Sequence, residues 1–169
     1  MQMKKQNLLI LGAGQYGMVA RETAVAMGIF ETVAFLDDQS PKALGVLETF
    51  ASHLPQYDCA FVAMGNPQLR QEWLDALEQE GFSLPVLVHP QAWVSPSAEL
   101  GCGTIVEPMA VVHTGAQVGR GCLLCAGSVV NHNSQVQAYC QIDCGAVVPA
   151  RAQVPSGTKV PCGKVFESL

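Results

Sequence analysis

From Val94 onward an aliphatic residue recurs at every sixth position: Val94, Leu100, Val106, Val112, Val118, Leu124, Val130, Val136, Ile142, Val148, Val154 and Val160. Four residues after each comes a second series: Ala98, Thr104, Ala110, Ala116, Cys122, Ser128, Ser134, Cys140, Ala146, Ala152, Thr158 and Lys164. Every member of that series is small except Lys164. Neither a helix, with its 3.6-residue period, nor an ordinary strand, with its period of two, generates two interlocked six-residue series. The spacing predicts a parallel β-helix, a triangular coil with three hexads per turn, and the twelve aliphatic positions then fill four turns. Each aliphatic side chain points inward and stacks on the residue eighteen positions later, about 4.8 Å away. The small residues face inward where a corner leaves little room. Gly103, Gly115, Gly121, Gly127, Gly145, Gly157 and Gly163 fall near corners, where the backbone needs unusual angles.

The first ninety residues follow another rhythm. Asn7–Leu11 reads as a buried strand, then a helix from about Gly17 to Met27 ends at Gly28. Val33–Leu36 and Cys59–Met64 read as further strands, closed by Asp37-Asp38 and Gly65-Asn66. Pro67 opens a helix to about Glu80 with Gly81 at its end, and Pro85–Val88 reads as a fourth strand. Strands alternating with helices indicate a small parallel α/β sheet. The chain therefore divides into a Rossmann-like domain over 1–90 and a β-helix over 91–169.

Composition narrows the function. Among 169 residues, 49% are apolar and 14% charged, which excludes disorder and suggests buried faces through self-association. A net charge of −5 without a basic stripe gives no footing for nucleic acid. After Met1–Lys5 the apolar run Leu8–Leu11 is too short for a signal peptide or membrane span, so the cytoplasm is the expected compartment. Seven cysteines, an odd count, are expected to stay reduced there. Cys122 and Cys125 form a single C-x-x-C spacing, but the repeat places one inside and the other at a corner, so no metal site is expected.

Gly12-Ala13-Gly14-Gln15-Tyr16-Gly17 stands between a strand and a helix, where backbone amides and the helix dipole suit a phosphate. A dinucleotide site, with Asp37 or Asp38 on a ribose, would need two mononucleotide halves, and this domain has room for one. A nucleotide-diphosphate ligand fits the size better. Gly65-Asn66 belongs to the same crevice at the strand ends, and Asn66 also suits the cap of the helix opened by Pro67.

The glycine-rich turn, Phe35-Leu36-Asp37-Asp38, Val62-Ala63-Met64-Gly65-Asn66, Leu87-Val88-His89-Pro90 and the hexads together resemble sialic-acid O-acetyltransferase-type enzymes, including those that N-acetylate nucleotide-linked amino sugars. The resemblance implies a left-handed β-helix that trimerises and binds acetyl-CoA between neighbouring prisms, and a first domain that holds the nucleotide. It also implies a catalytic histidine, which matches His132 in Val129-Val130-Asn131-His132-Asn133. Imidazole titrates near neutrality, and at a corner it can remove a proton from a sugar amine or hydroxyl attacking the thioester. The expected site is thus His132 and Asn133 for catalysis, with Gly12, Gly14, Gln15, Gly17, Asp37, Asp38, Gly65 and Asn66 for the nucleotide sugar. Gln141, Gly145 and Arg151 are expected at the coenzyme, and Lys159 and Lys164 are further candidates for its phosphates.

Departures from the family pattern keep a second reading open. Asn133 stands where a carboxylate is usual, Gln141 where a second histidine is, and Cys125 where an asparagine is. Family members generally continue for further coils, whereas Pro149, Pro155 and Pro161 each follow an aliphatic position and favour ending the stack. The alternative is a trimeric nucleotide-sugar-binding scaffold with a shortened coenzyme site. His113 has a different corner offset from His132, and neither it nor His53 nor His89 is expected to act.

Overall fold

The structure, a computed structural model, describes residues 6–167, so Met1–Lys5 lie outside the described residues. Two compact units divide between Pro85 and Val86. The first holds β1 (Gln6–Leu11), α1 (Gln15–Met27), β2 (Phe30–Leu36), a 3-10 helix over Leu47–His53, β3 (Cys59–Val62) and α2 (Pro67–Glu80). Its sheet is parallel in the order β2-β1-β3. Leu8, Leu9, Ile10 and Leu11 are all fully buried, which is why the central strand reads as one unbroken apolar run. Both helices end as expected, with Gly28 and Gly81 in the left-handed conformation at φ 68° and 101°.

Leu87–Val88 departs from its expected place in that sheet. As β4 it pairs with Ile105–Val106 and starts the coil. The six-residue series accordingly extends one step upstream to Val88, whose side chain packs against the prism core. Four residues of aliphatic and proline character look alike in either setting, and only the partner strand separates them.

The second unit is the left-handed parallel β-helix. Thirteen two-residue strands, β4 to β16, form three sheets in the orders β16-β13-β10-β7-β4, β14-β11-β8-β5 and β15-β12-β9-β6. Neighbours in each sheet are three strands apart in the chain, which is one coil. Aligned pairs such as Leu124 with Val106 and Ile142 stack the aliphatic side chains into inward columns. Val106, Leu124, Ile142 and Val160 are at most 2% exposed. Small residues of the second series, Ala110, Ala116, Cys122, Ser128, Ser134, Cys140 and Ala146, are buried beside them, and Lys164 is exposed.

Corners follow an equally strict rule. From 103 to 163 every sixth residue has positive φ; seven are glycines and four are Met109, Asn133, Tyr139 and Arg151, at φ 62°, 55°, 61° and 63°. A side chain in this region costs about 1–2 kcal/mol, least for Asn, whose short polar group bonds locally. In two of the three sheets the residue before each inward position is partly or fully exposed and gives the sheet its character. The middle sheet shows Trp93, Val111, Val129 and Val147, an apolar ladder, and the third shows Glu99, Gln117, Gln135 and Gln153.

Truncating one member of an inward column tests this account. Ile142→Ala should lower the unfolding free energy by about 2–5 kcal/mol in denaturant titrations. Gln135→Ala, on the exposed polar face, should change it by less than about 0.5 kcal/mol. Equal effects would mean the columns do not carry the prism.

Candidate functional site

At the C-terminal edge of the small sheet, Gly12 takes φ 100° and its amide donates to Leu36 O at 2.8 Å, while Ala63 N donates to Leu11 O at 2.8 Å. The turn is packed so closely that a Cβ on Gly17 would overlap Gly12 O. Gly14 is the N-cap of α1 and brings no side-chain acceptor, and the first helical turn, which begins at Gln15, holds no acidic residue. A helix N-terminus so arranged favours an anion.

The two aspartates expected at the nucleotide sugar have structural partners. Asp37 accepts hydrogen bonds from Ala13 N (2.8 Å), Gln39 N and Ser40 N (2.9 Å each), so one carboxylate ties the glycine turn to the loop after β2. These bonds, the one from Ala13 above all, hold its carboxyl below the usual range against a smaller opposing effect of burial. Asp38 accepts from Leu47 N at 2.9 Å. Residues 37–46 curl around a shallow depression of about 320 Å³ at this edge. Asn66 caps α2 by accepting from Leu69 N at 3.0 Å. Beneath it lies Arg70, fully buried, which donates to Met64 O at 2.6 Å and Gly65 O at 3.1 Å. Arg70 shapes the Gly65-Asn66 turn and was invisible to motif reading, because one arginine in an amphipathic helix looks like a solvated charge.

In the prism, the corner between β11 and β12 gathers His132, Asn133 and Arg151. His132 N donates to Asn131 Oδ1 at 2.8 Å, and Arg151 N donates to His132 O at 3.1 Å. Asn133 and Arg151 occupy the positive-φ position of successive coils. Asn133 Nδ2 lies 3.4 Å from His132 Nδ1. Its Oδ1 presses against the α-carbon side of Gly115 one coil below, where a Cβ would displace it. His113 is also here: its ring packs 6.0 Å from that of His132 and 5.5 Å from Trp93. The signal for it was present, since 132 and 113 differ by one coil plus one residue. His113 Nδ1 accepts from Thr114 N at 2.9 Å, which places any proton on Nε2 of the neutral ring.

The other expected coenzyme residues lie elsewhere on the prism. Gln141 is in β13 on another face, and Gly145 is at the corner between β13 and β14. Lys159 is in β16 beside Asp143, Nζ to Oδ2 3.2 Å. The C-x-x-C pair diverges as expected. Cys122 is in the core with Sγ 3.2 Å from Gln137 O, and Cys125 is buried at the Gly145 corner. Burial first, then the charges of Glu107 and Asp143, push the Cys125 thiol far up, so it offers no thiolate nucleophile.

Residues 7–77 match the family model of the PglD N-terminal domain. Among solved structures, the acetyltransferase domain of PglB from Neisseria gonorrhoeae FA1090 in complex with acetyl coenzyme A is 30% identical, at TM-score 0.92 over 96% of this chain and 82% of its own. A histidine-to-alanine variant of GDP-perosamine N-acetyl transferase from Caulobacter crescentus, in complex with CoA and GDP-perosamine, is 25% identical at TM-score 0.83, covering 95% and 88%. WeeI from Acinetobacter baumannii AYE, 16% identical at TM-score 0.72 over 94% and 87%, shares the fold.

Asp37→Ala should cost about 1–3 kcal/mol by leaving amides of the glycine turn without their acceptor. Because the folded carboxyl titrates below its unfolded value of about 3.9, its contribution is present above that pH and is lost as pH falls through the folded value. Unfolding curves of wild type and variant should therefore converge as the pH is lowered from about 5 to about 2. A constant gap across that range would count against the assignment.

Proposed function

The chain belongs to the nucleotide amino-sugar acetyltransferase family, and from that premise we propose that it acetylates the amino group of a nucleotide-linked sugar with His132 as general base. The donor is acetyl-CoA, as in the PglB domain. The observation that carries the reading is the corner itself. His132 projects from the prism beside Asn133, next to the apolar ladder of Trp93, Val111, Val129 and Val147.

The ladder suits burial against a second prism, and threefold packing would set the His132 corner of one subunit against the faces of the next. Gln141, Gly145 and Arg151 lie on different faces and corners of the prism, so in this reading they serve grooves formed with neighbours. The glycine turn, Gly65-Asn66 and the loop after β2 hold the nucleotide, with Asp37 and Asp38 shaping the loop. No helix among the described residues is long and apolar enough to cross a membrane. The seven cysteines, none of them in a disulfide, suit the reducing cytoplasm.

In the reaction the neutral amine attacks the thioester carbon, and His132 Nε2 accepts the proton released as the C–N bond forms. The tetrahedral intermediate then collapses with cleavage of C–S, and the imidazolium returns the proton to the departing thiolate. For Nε2 to be basic, Nδ1 must carry the ring proton. Asn133 supports this tautomer when its amide is turned so that Oδ1 faces Nδ1, an orientation sterically equivalent to the reverse.

Turnover is measured as thiol release from acetyl-CoA with nucleotide-linked 4-amino sugars as acceptors. His132→Ala should lower kcat by about 10²–10⁴ with little change in sugar binding. Full turnover by that variant removes His132 from the mechanism, and an inactive wild type across the acceptor panel favours the scaffold. Asn133→Asp should raise kcat, since an amide in place of a carboxylate partner can slow a histidine base by up to about 10⁴. Slower turnover in the Asn133→Asp variant would mean that the amide does more than orient the ring.

A further inference from the structure

The corner between β13 and β14, opposite in character to the His132 corner, collects donor side chains that acetyl transfer does not use. One position of successive coils holds Glu107, Cys125 and Asp143, and the next holds Pro108, Ala126, Cys144 and Cys162. Proline and alanine in the lower coils show that the corner itself requires no thiol. The two upper coils nevertheless place thiols in register, with Gly163 N donating to Cys144 O at 2.9 Å. Asp143 is fixed beside them, its Oδ1 accepting from Cys144 N at 3.0 Å. One carboxylate oxygen of Asp143 and the Sγ atoms of Cys144 and Cys162 all lie within 4.8 Å of one another.

Zinc-type ions take sulfur at about 2.3 Å and carboxylate oxygen at about 2.0–2.2 Å in a tetrahedral array, so neighbouring donors stand roughly 3.5–3.8 Å apart. The observed set, within 4.8 Å, lies about an ångström outside that spacing, a gap of the size side-chain rotation can close. A positive charge already sits here, since Lys159 Nζ is 3.2 Å from Asp143 Oδ2, and its side chain is 58% exposed. The lysine end of this pair is exposed, and a divalent ion held by the thiolates would compete with it for Asp143. Both cysteines are exposed, so the site is open to solvent.

We propose that Asp143, Cys144 and Cys162 form a binding site for a soft divalent cation of the zinc class, which clamps two consecutive coils of the prism and keeps a water as fourth ligand. Binding replaces the two thiol protons, so the ion enters as two protons leave and the carboxylate contributes its existing charge. Two thiolates select a soft ion over magnesium or calcium, which require oxygen ligands.

The test uses the reduced, chelator-treated full-length protein titrated with cobalt(II), followed by its thiolate-to-cobalt charge-transfer absorption and back-titrated with zinc. Support would be one saturating equivalent per chain, displaced by zinc, weakened at least about tenfold in Cys144→Ser and in Cys162→Ser, and unchanged in Cys102→Ser at another corner. No charge-transfer band in excess cobalt overturns the proposal, as does a band that survives in the Cys144→Ser/Cys162→Ser double variant. Recovery of the protein with Cys144 and Cys162 joined as a disulfide, and no cobalt uptake after reduction, overturns it in favour of a redox staple.

Discussion

Everything in the prism depends on turning the chain by one third of a circle every six residues while keeping one side chain pointed inward. The inward columns supply the favourable burial, and the positive-φ corner makes each turn possible. Neither suffices alone. A column without the corner would run on as an extended strand, and a corner without the column would have nothing to stack upon. Seven glycines meet the corner requirement at little steric cost. The four side chains that occupy it instead, Met109, Asn133, Tyr139 and Arg151, are held there by neighbouring coils.

Two of those four, Asn133 and Arg151, stand beside His132, which joins the folding constraint to the proposed chemistry. The residue that follows His132 must accept left-handed backbone, and from that place its side chain reaches Nδ1. Asn meets that demand well and brings its neutral amide within 3.4 Å of Nδ1, while Gly115 below leaves the space that amide needs. In the reaction we propose, the corner next to an apolar face handles protons and the thioester, and the anion-favouring turn of the first unit holds the nucleotide.

Much of the prism was legible because its period is strict: Val106, Leu124 and Ile142 could be assigned inward from spacing alone, and the corner glycines from their own series. The boundary was harder. Pro85–Val88 has the composition of a strand in either unit, and the pairing of Leu87–Val88 with β7 settles where it belongs. Resemblance singled out His132 and Asn133 as candidates but not His113, whose nearness to His132 arises from coil stacking that a linear motif ignores. Arg70 stayed hidden for a different reason. Its value lies in the carbonyls of Met64 and Gly65 that it binds, and carbonyl direction is not written in residue type.

The eighteen-residue coil also governs which changes of chain length this architecture can absorb. Deleting or inserting six residues leaves every inward column and every corner glycine in phase, so folding survives. Everything downstream is nevertheless rotated onto the adjacent face. Cut six residues between β8 and β11, and His132 moves to a corner where His113 and Trp93 no longer lie beneath it. Only whole coils can be gained or lost without scrambling which groups share an edge. Length variation among such prisms should therefore come in steps of eighteen wherever a reactive corner lies downstream.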